Sequence, residues 1–134
     1  VHLKKLELCG FKTFADRTEL DFGPGVSAIV GPNGSGKSNI ADAILWVLGE
    51  QSMKTLRSSR AQDVIFAGSA GRKRVGYAEV HMTLDNEDRS LPLDFTEITV
   101  TRRVFRSGEG EYLINGVPCR LRDIHDLFLD TGIG

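Results

Sequence analysis

What this sequence lacks narrows its class before any motif is considered. No apolar run approaches the roughly 20 residues a helix needs to span a bilayer. The N-terminus does not show the charged-then-apolar pattern of a secretory signal. Cysteine is scarce: Cys9 and Cys119 stand alone, with no His/Cys cluster near either. This disfavours a disulfide framework or a zinc module and fits buried free thiols in a reducing cytosol. His2, His81 and His125 are scattered and read as structural rather than as ligands. No internal repeat, coiled-coil heptad or low-complexity tract is present. A net charge of −1 gives no overall argument for a polyanionic partner.

What is there is ordinary in amount and uneven in placement. The 134 residues are 40% hydrophobic and 26% charged, a single domain-sized unit able to bury a core but short for a complete nucleotide-hydrolysing machine. Between Gln51 and Arg74, Lys54, Arg57, Arg60, Arg72, Lys73 and Arg74 face only one acid, Asp63. Between Asp85 and Glu97 acids dominate. Arg102, Arg103, Arg106, Arg120 and Arg122 then form a second basic group. Such asymmetry is compatible with a surface facing a polyanion.

Among the 15 glycines, three fall in Gly31–Ser38, GPNGSGKS, which matches G-x-x-x-x-G-K-[ST]. Gly31, Gly34 and Gly36 admit backbone conformations that a Cβ forbids, so successive N–H groups can turn toward phosphate oxygens. Lys37 is placed to neutralise β/γ-phosphate charge, and the Ser38 hydroxyl to help hold Mg²⁺. The required flanks are present. Val26–Val30 reads as a buried strand, and Asn39–Leu48 carries Ile40, Ala41, Ile44, Leu45, Val47 and Leu48 at helical spacing, with Gly49 as a stop.

Elsewhere the periodicities predict an α/β lobe. Leu3–Phe11 and Arg17–Phe22 alternate as half-buried antiparallel strands, joined to the P-loop strand through Gly23-Pro24-Gly25. Tyr77–Asp85 alternates cleanly, Ile98–Phe105 and Glu111–Ile114 are further strands, and Asn115-Gly116 is a hairpin signal. Residues 122–129 read as a short helix. The expected arrangement is one α/β lobe, a P-loop strand and helix in a mixed sheet, with an antiparallel β layer built from residues 75–116.

Four stretches make the pattern specific: Gly10-Phe11-Lys12-Thr13-Phe14; GPNGSGKSNIADAI running into WVLGEQS at 46–52; DVIFAGS at 63–69; and Tyr112-Leu113-Ile114-Asn115-Gly116. With these, the chain resembles the N-terminal part of the ABC-type ATPase head of SMC (structural maintenance of chromosomes) proteins, most of all the prokaryotic condensin-type subunit. The resemblance runs over essentially all of residues 1–134, taken as one incomplete lobe. It implies a P-loop NTPase fold with ATP and Mg²⁺ as cofactors. Pro32, Asn33, Gly34, Ser35, Gly36, Lys37, Ser38 and Asn39 would wrap the triphosphate. Lys12 and Thr13 would approach the phosphates, Arg57 would reach toward the nucleotide, and Asp63, Val64 and Ile65 would lie on the adenine side. Implied partners are the C-terminal half of the head, a second head in a homodimer, a kleisin-type subunit and DNA bound without sequence preference. The implied setting is the cytoplasm, on the chromosome, in condensation and segregation. Arg60, Arg120 and Arg122 are the candidate DNA contacts.

No apolar strand ending in Asp-Glu is visible, nor an LSGG-type signature. Gln51 and Gln62 are the only glutamines, and neither falls where the family's Q-loop glutamine lies. The expectation is therefore a fragment or one piece of a split head, inactive alone because the carboxylates that complete a metal shell and orient water are missing. A RecF/RecN-like repair ATPase shares the strand–P-loop–helix opening but would be less expected to carry both WVLGEQS and DVIFAGS. A nucleotide kinase or GTPase would want a substrate lid or an N-K-x-D motif. A non-catalytic interaction module stays open at this point.

Overall fold

The computed structural model describes residues 2–12, 14–22, 35–49, 64–68 and 75–129, with 35–38 described by their backbone alone. Six strands form one sheet: β1 (His2–Cys9), β2 (Thr18–Asp21), β3 (Tyr77–Asp85), β4 (Glu97–Phe105), β5 (Gly110–Ile114) and β6 (Val117–Cys119). Their spatial order is β2-β1-β3-β4-β5-β6, and every neighbouring pair is antiparallel. Two helices, α1 (Ser35–Val47) and α2 (Leu121–Phe128), complete the described elements.

Register follows from alternation. Leu6 stands opposite Met82 and Leu8 opposite Val80, while Met82 faces Val100 and Leu84 faces Ile98 across the next ladder. A slip of one residue would turn this whole apolar set away from the core. The β5–β6 hairpin turns at Asn115 and Gly116, both at positive φ (49° and 81°), as a two-residue type I′ turn requires.

β1 pairs directly with β3, so the opening strands and the expected antiparallel layer of residues 75–116 lie in one sheet. The paired leucines of β1 complete the apolar surface begun by β3. The mixed character expected of the sheet rests on Val26–Val30, which lies outside the described residues.

The apolar face of the sheet carries the core. Leu6, Leu8, Ala78, Val80, Met82, Leu84, Ile98, Val100 and Val104 pack with Ala43, Trp46 and Val47 of α1 and with Ile124, Leu127 and Phe128 of α2. Helix α1 begins at Ser35, four residues before the expected start, so the GSGKS part of the motif supplies its first turn. It stops before Gly49, whose φ of +105° places it in the left-handed region. A side chain at Gly49 would also meet the His125 ring, since the Cβ position lies 2.6 Å from Nε2. Thus α2 docks against the C-terminal end of α1. At its own start, the Asp123 carboxylate accepts a hydrogen bond from the Arg120 N–H at 2.9 Å, satisfying one donor ahead of the first turn.

The buried stripe of α1 is not the one its apolar residues predict. Ala41 and Leu45 are exposed, whereas Asn39 and Asp42 are buried beside Ala43, Trp46 and Val47. The two cysteines are free thiols as expected, but half-buried rather than buried.

Candidate nucleotide-binding site

Strand β1 ends at a sharp bend that the sequence reading extended through as strand. Gly10 sits at φ +69°, and a Cβ there would lie 2.2 Å from the Tyr77 carbonyl oxygen. Only glycine permits this approach of the two backbones. The chain then leaves the ladder and runs beside residues 64–66. Phe11 bridges Ile65, the Phe66 N–H donates to Gly10 O at 2.7 Å, and the Lys12 N–H donates to Val64 O at 2.6 Å. The segment is held on its other side by Arg106, whose guanidinium donates to Phe66 O (3.0 Å) and Val75 O (2.6 Å).

Lys12 follows at φ +50°, a left-handed conformation that costs a lysine on the order of 1 kcal/mol or more. Its ammonium is aimed at α1, with Nζ 2.7 Å from Asp42 Oδ2. The Lys12 and Asp42 side chains retain 11% and 8% of their exposure, so this is an ion pair largely withdrawn from water. Desolvating both charges is compensated only by such close geometry, and removing either partner would be strongly destabilising. Asp42 is the only acid in α1. It lies seven residues from Ser35, about 10 Å along the axis. At an effective dielectric constant of 20, its charge, if uncancelled, would oppose each unit negative charge at the helix start by roughly 1.7 kcal/mol.

The far end of α1 is locked by a second cation. The Arg102 guanidinium lies over the Trp46 ring (4.6 Å to the centroid) and the Tyr112 ring (5.0 Å), and donates to Trp46 O at 2.8 Å. It thereby occupies a helix C-terminal carbonyl where positive charge is favoured. Burial lowers its pKa, and Tyr112 opposes that shift; an arginine stays charged regardless. Trp46 in turn packs on Phe11, ring centroids 5.3 Å apart. Helix α1 is therefore fixed at mid-length by Lys12 and near its C-terminus by Arg102.

The first turn of α1 is suited to an anion. Its leading N–H groups have no partner within the helix, the helix dipole is positive there, and no acidic residue occupies the turn. Triphosphate chemistry therefore fits the residues present, with Lys37 and Ser38 carried in that turn. Among the described residues no group of three or more His, Cys, Asp or Glu side chains could hold a metal by itself. A cation here would depend on Ser38 together with the phosphates.

The sequence-predicted residues are distributed as follows. Ser35, Gly36, Lys37 and Ser38 form the start of α1, and Asn39 is buried behind them. Lys12 joins this helix through Asp42. Val64 and Ile65 are buried in the core, at 0% and 3% exposure, beside the Gly10–Lys12 bend. Thr13, Pro32, Asn33, Gly34, Arg57, Arg60 and Asp63 lie outside the described residues. Arg120 and Arg122 are exposed at the start of α2, near the opposite end of α1. Sequence reasoning missed Asp42, Arg102 and Arg106. It grouped Arg102, Arg103 and Arg106 as a polyanion-facing set, yet all three are engaged within the chain. The signal for Arg102 was its inward position between Val100 and Val104; for Asp42, its place on one helical face with Asn39 and Trp46.

The comparisons decide the family. Residues 2–134 match the RecF/RecN/SMC N terminal domain. The chain belongs to this family. It is 64% identical over 132 residues to the chromosome partition protein Smc of Bacillus subtilis, covering 98% of this chain and 11% of that protein. An Smc head solved bound to the C-winged helix domain of ScpA superposes with a TM-score of 0.93 at 44% identity, over 100% of this chain and 42% of that one. A structure from a study of ATP-driven dimerization and DNA-stimulated activation of SMC ATPases gives 0.90 at 45% identity, over 96% of this chain and 78% of that one. A RecF–ATP structure matches at 23% identity and a TM-score of 0.65, over 89% of this chain and 28% of that one, a likeness of fold alone. SMC heads match better than RecF does, and the fold is that of the SMC ATPase head, a P-loop NTPase of the ABC type. The chain spans about a tenth of the length of the curated Smc relatives.

Proposed function

We propose that residues 1–134 are the N-terminal lobe of an SMC-type ATPase head and form the phosphate-gripping half of an ATP site. The observation that carries this reading is the junction of motif and helix: GPNGSGKS ends inside the acid-free first turn of α1, a helix pinned at two further points. Pro32 to Asn39 would wrap the triphosphate through backbone N–H groups, with Lys37 neutralising charge. Lys12, Thr13 and Arg57 would flank the phosphates, and Asp63, Val64 and Ile65 the adenine side. Mg²⁺, held in part by Ser38, would supply charge neutralisation when bound. What this chain's own residues do is bind and orient; positioning and electrostatics are what phosphoryl transfer asks of a protein. The acid and signature elements that complete catalysis belong to a segment beyond these residues.

In the whole protein, two heads would sandwich ATP, and binding and hydrolysis would engage and release them to handle DNA in chromosome condensation and segregation. The relatives' names support this, and the Smc head solved with ScpA supports, by analogy, a kleisin-type partner. The same relatives favour a cytoplasmic, chromosome-associated setting; among the described residues no helix is long and apolar enough to cross a membrane. Arg60, Arg120 and Arg122 would contribute salt-dependent phosphate contacts to DNA.

The test is ATP-Mg²⁺ binding and turnover by the complete polypeptide and by the 134-residue chain. Lys37→Ala is expected to abolish binding in the complete protein, and the short chain is expected to turn over negligibly. Lys37-dependent turnover by the short chain alone would overturn the half-site reading.

A further inference from the structure

Lys12 is one of the residues read as approaching the phosphates, and the simplest assumption is that its ammonium meets the nucleotide. The geometry says something different about how it acts. Its ammonium is turned to the third turn of α1, 2.7 Å from Asp42, and both side chains are about nine-tenths withdrawn from water. The backbone adopts a left-handed conformation to place it there. Asp42 is the only acidic residue of the helix whose first turn would receive the triphosphate. A buried carboxylate there opposes a bound polyanion unless its charge is cancelled on the spot.

Resting on the ATP-site reading above, we propose that Lys12 serves nucleotide binding through Asp42. It is a positioning and charge-cancelling residue that masks the one acid of α1 and ties the Gly10–Lys12 bend to the helix. The pair contributes a neutral, rigid strut beneath the phosphate site. ATP, with more charge than ADP, gains most from the mask.

This arrangement gives a test that a direct lysine–phosphate contact cannot satisfy. In the complete polypeptide, ATP and ADP affinities are measured for wild type, Lys12→Met, Asp42→Asn and the double variant, with thermal unfolding of each nucleotide-free protein alongside. Lys12→Met is expected to weaken ATP about tenfold or more, with a smaller loss for ADP, because Asp42 is left without its ammonium. Asp42→Asn in the Lys12→Met background is expected to restore ATP affinity to within about threefold of wild type. Lys12→Arg, which keeps the charge, is expected to stay close to wild type.

A double variant as weak for ATP as Lys12→Met alone would overturn the proposal and leave Lys12 as a direct phosphate contact. An equal loss for ATP and ADP that tracks thermal unfolding would also overturn it, reducing the pair to a structural tie. If Lys12→Met does not fold, the double variant still decides the matter, since it carries no buried charge at either position. Lys37→Ala separates the two levels. If it leaves ATP binding intact, the site reading itself fails; if it abolishes binding while the second-site rescue is absent, only the role given to Asp42 falls.

Discussion

Along β3, neighbouring residues live in different chemistries. Ala78, Val80, Met82 and Leu84 face the helices and are buried among aliphatic and aromatic groups. Glu79, His81 and Thr83 face the other way, and two of them are nearly as buried: Glu79 at 6% and Thr83 at 5% exposure. The burial of that second face comes from polar neighbours. The Arg103 guanidinium donates to Glu79, at 2.8 Å through Nε, and also pairs with Glu111. His81 lies 3.2 Å from Glu79 through Nε2 and 2.7 Å from Thr101 through Nδ1, and Thr83 meets Thr99 at 3.1 Å. Arg17 pairs with Glu7 on the neighbouring strand. One face is held by area removed from water, the other by charged and polar groups that share partners, Arg103 with two carboxylates and Glu79 with two basic groups. The first tolerates no loss of volume; the second tolerates no loss of a partner, and its charges are already spent on one another. That leaves the outer face of β1, β3 and β4 poorly suited to gripping a polyanion.

The difference can be broken at four positions, in falling order of effect. Trp46→Ala removes the largest fully buried side chain of the apolar side and is expected to cost about 3–5 kcal/mol in urea unfolding; a loss under about 1 kcal/mol would mean that α1 does not depend on this packing. Arg102 brings a charge into that same side, and Arg102→Ala should cost about 2–4 kcal/mol through two ring contacts and a carbonyl bond. Arg102→Lys should recover less than half of it, because an ammonium cannot lie flat between two rings. On the polar side, Glu79→Gln is expected to cost about 1–3 kcal/mol at neutral pH by leaving Arg103 with a weaker partner.

That third cost carries its own pH signature. Burial pushes the Glu79 carboxyl up, but Arg103 and His81 more than offset this, and it stays below the ordinary glutamate range. A depressed carboxyl stabilises the fold above the unfolded value, near 4.3, and loses that contribution as pH falls through the folded value. The urea-midpoint gap between wild type and Glu79→Gln should therefore be full at pH 7 and shrink below about pH 4. A gap that widens in acid would contradict the assignment. Smallest of all, Lys4→Ala removes an exposed pair with Glu97 and should leave the urea midpoint close to that of wild type.

What was legible in the sequence was local. The alternation of Tyr77–Asp85, the Asn115-Gly116 turn and a helix following the GPNGSGKS motif are each set by residues within a few positions of one another, although that helix starts four residues earlier than its apolar spacing predicts. What escaped was set by distant partners. Lys12 meets Asp42 across 30 positions, Arg106 meets Phe66 across 40, and Arg102 meets Trp46 across 56. Counting charge along the chain merged Arg102 and Arg103 into one basic patch, whereas adjacent residues of a strand point to opposite faces. One guanidinium entered the aromatic side, and the other joined the carboxylates. The candidate site shows the same division: the GPNGSGKS motif was readable as a string, but the acid in the helix behind it was not.

Trp46 is the chain's only tryptophan. Its indole is 2% exposed, with the Phe11 ring tilted against it and the Arg102 guanidinium over it, on the helix that begins at Ser35. Excited at the red edge of ultraviolet absorption, the protein segment therefore emits from a single place, where α1, the bend after β1 and strand β4 meet. Any movement of that helix against the sheet changes the distance from the Arg102 charge and the polarity around the ring, and with them the emission wavelength. The chain carries its own optical gauge of α1, without a label.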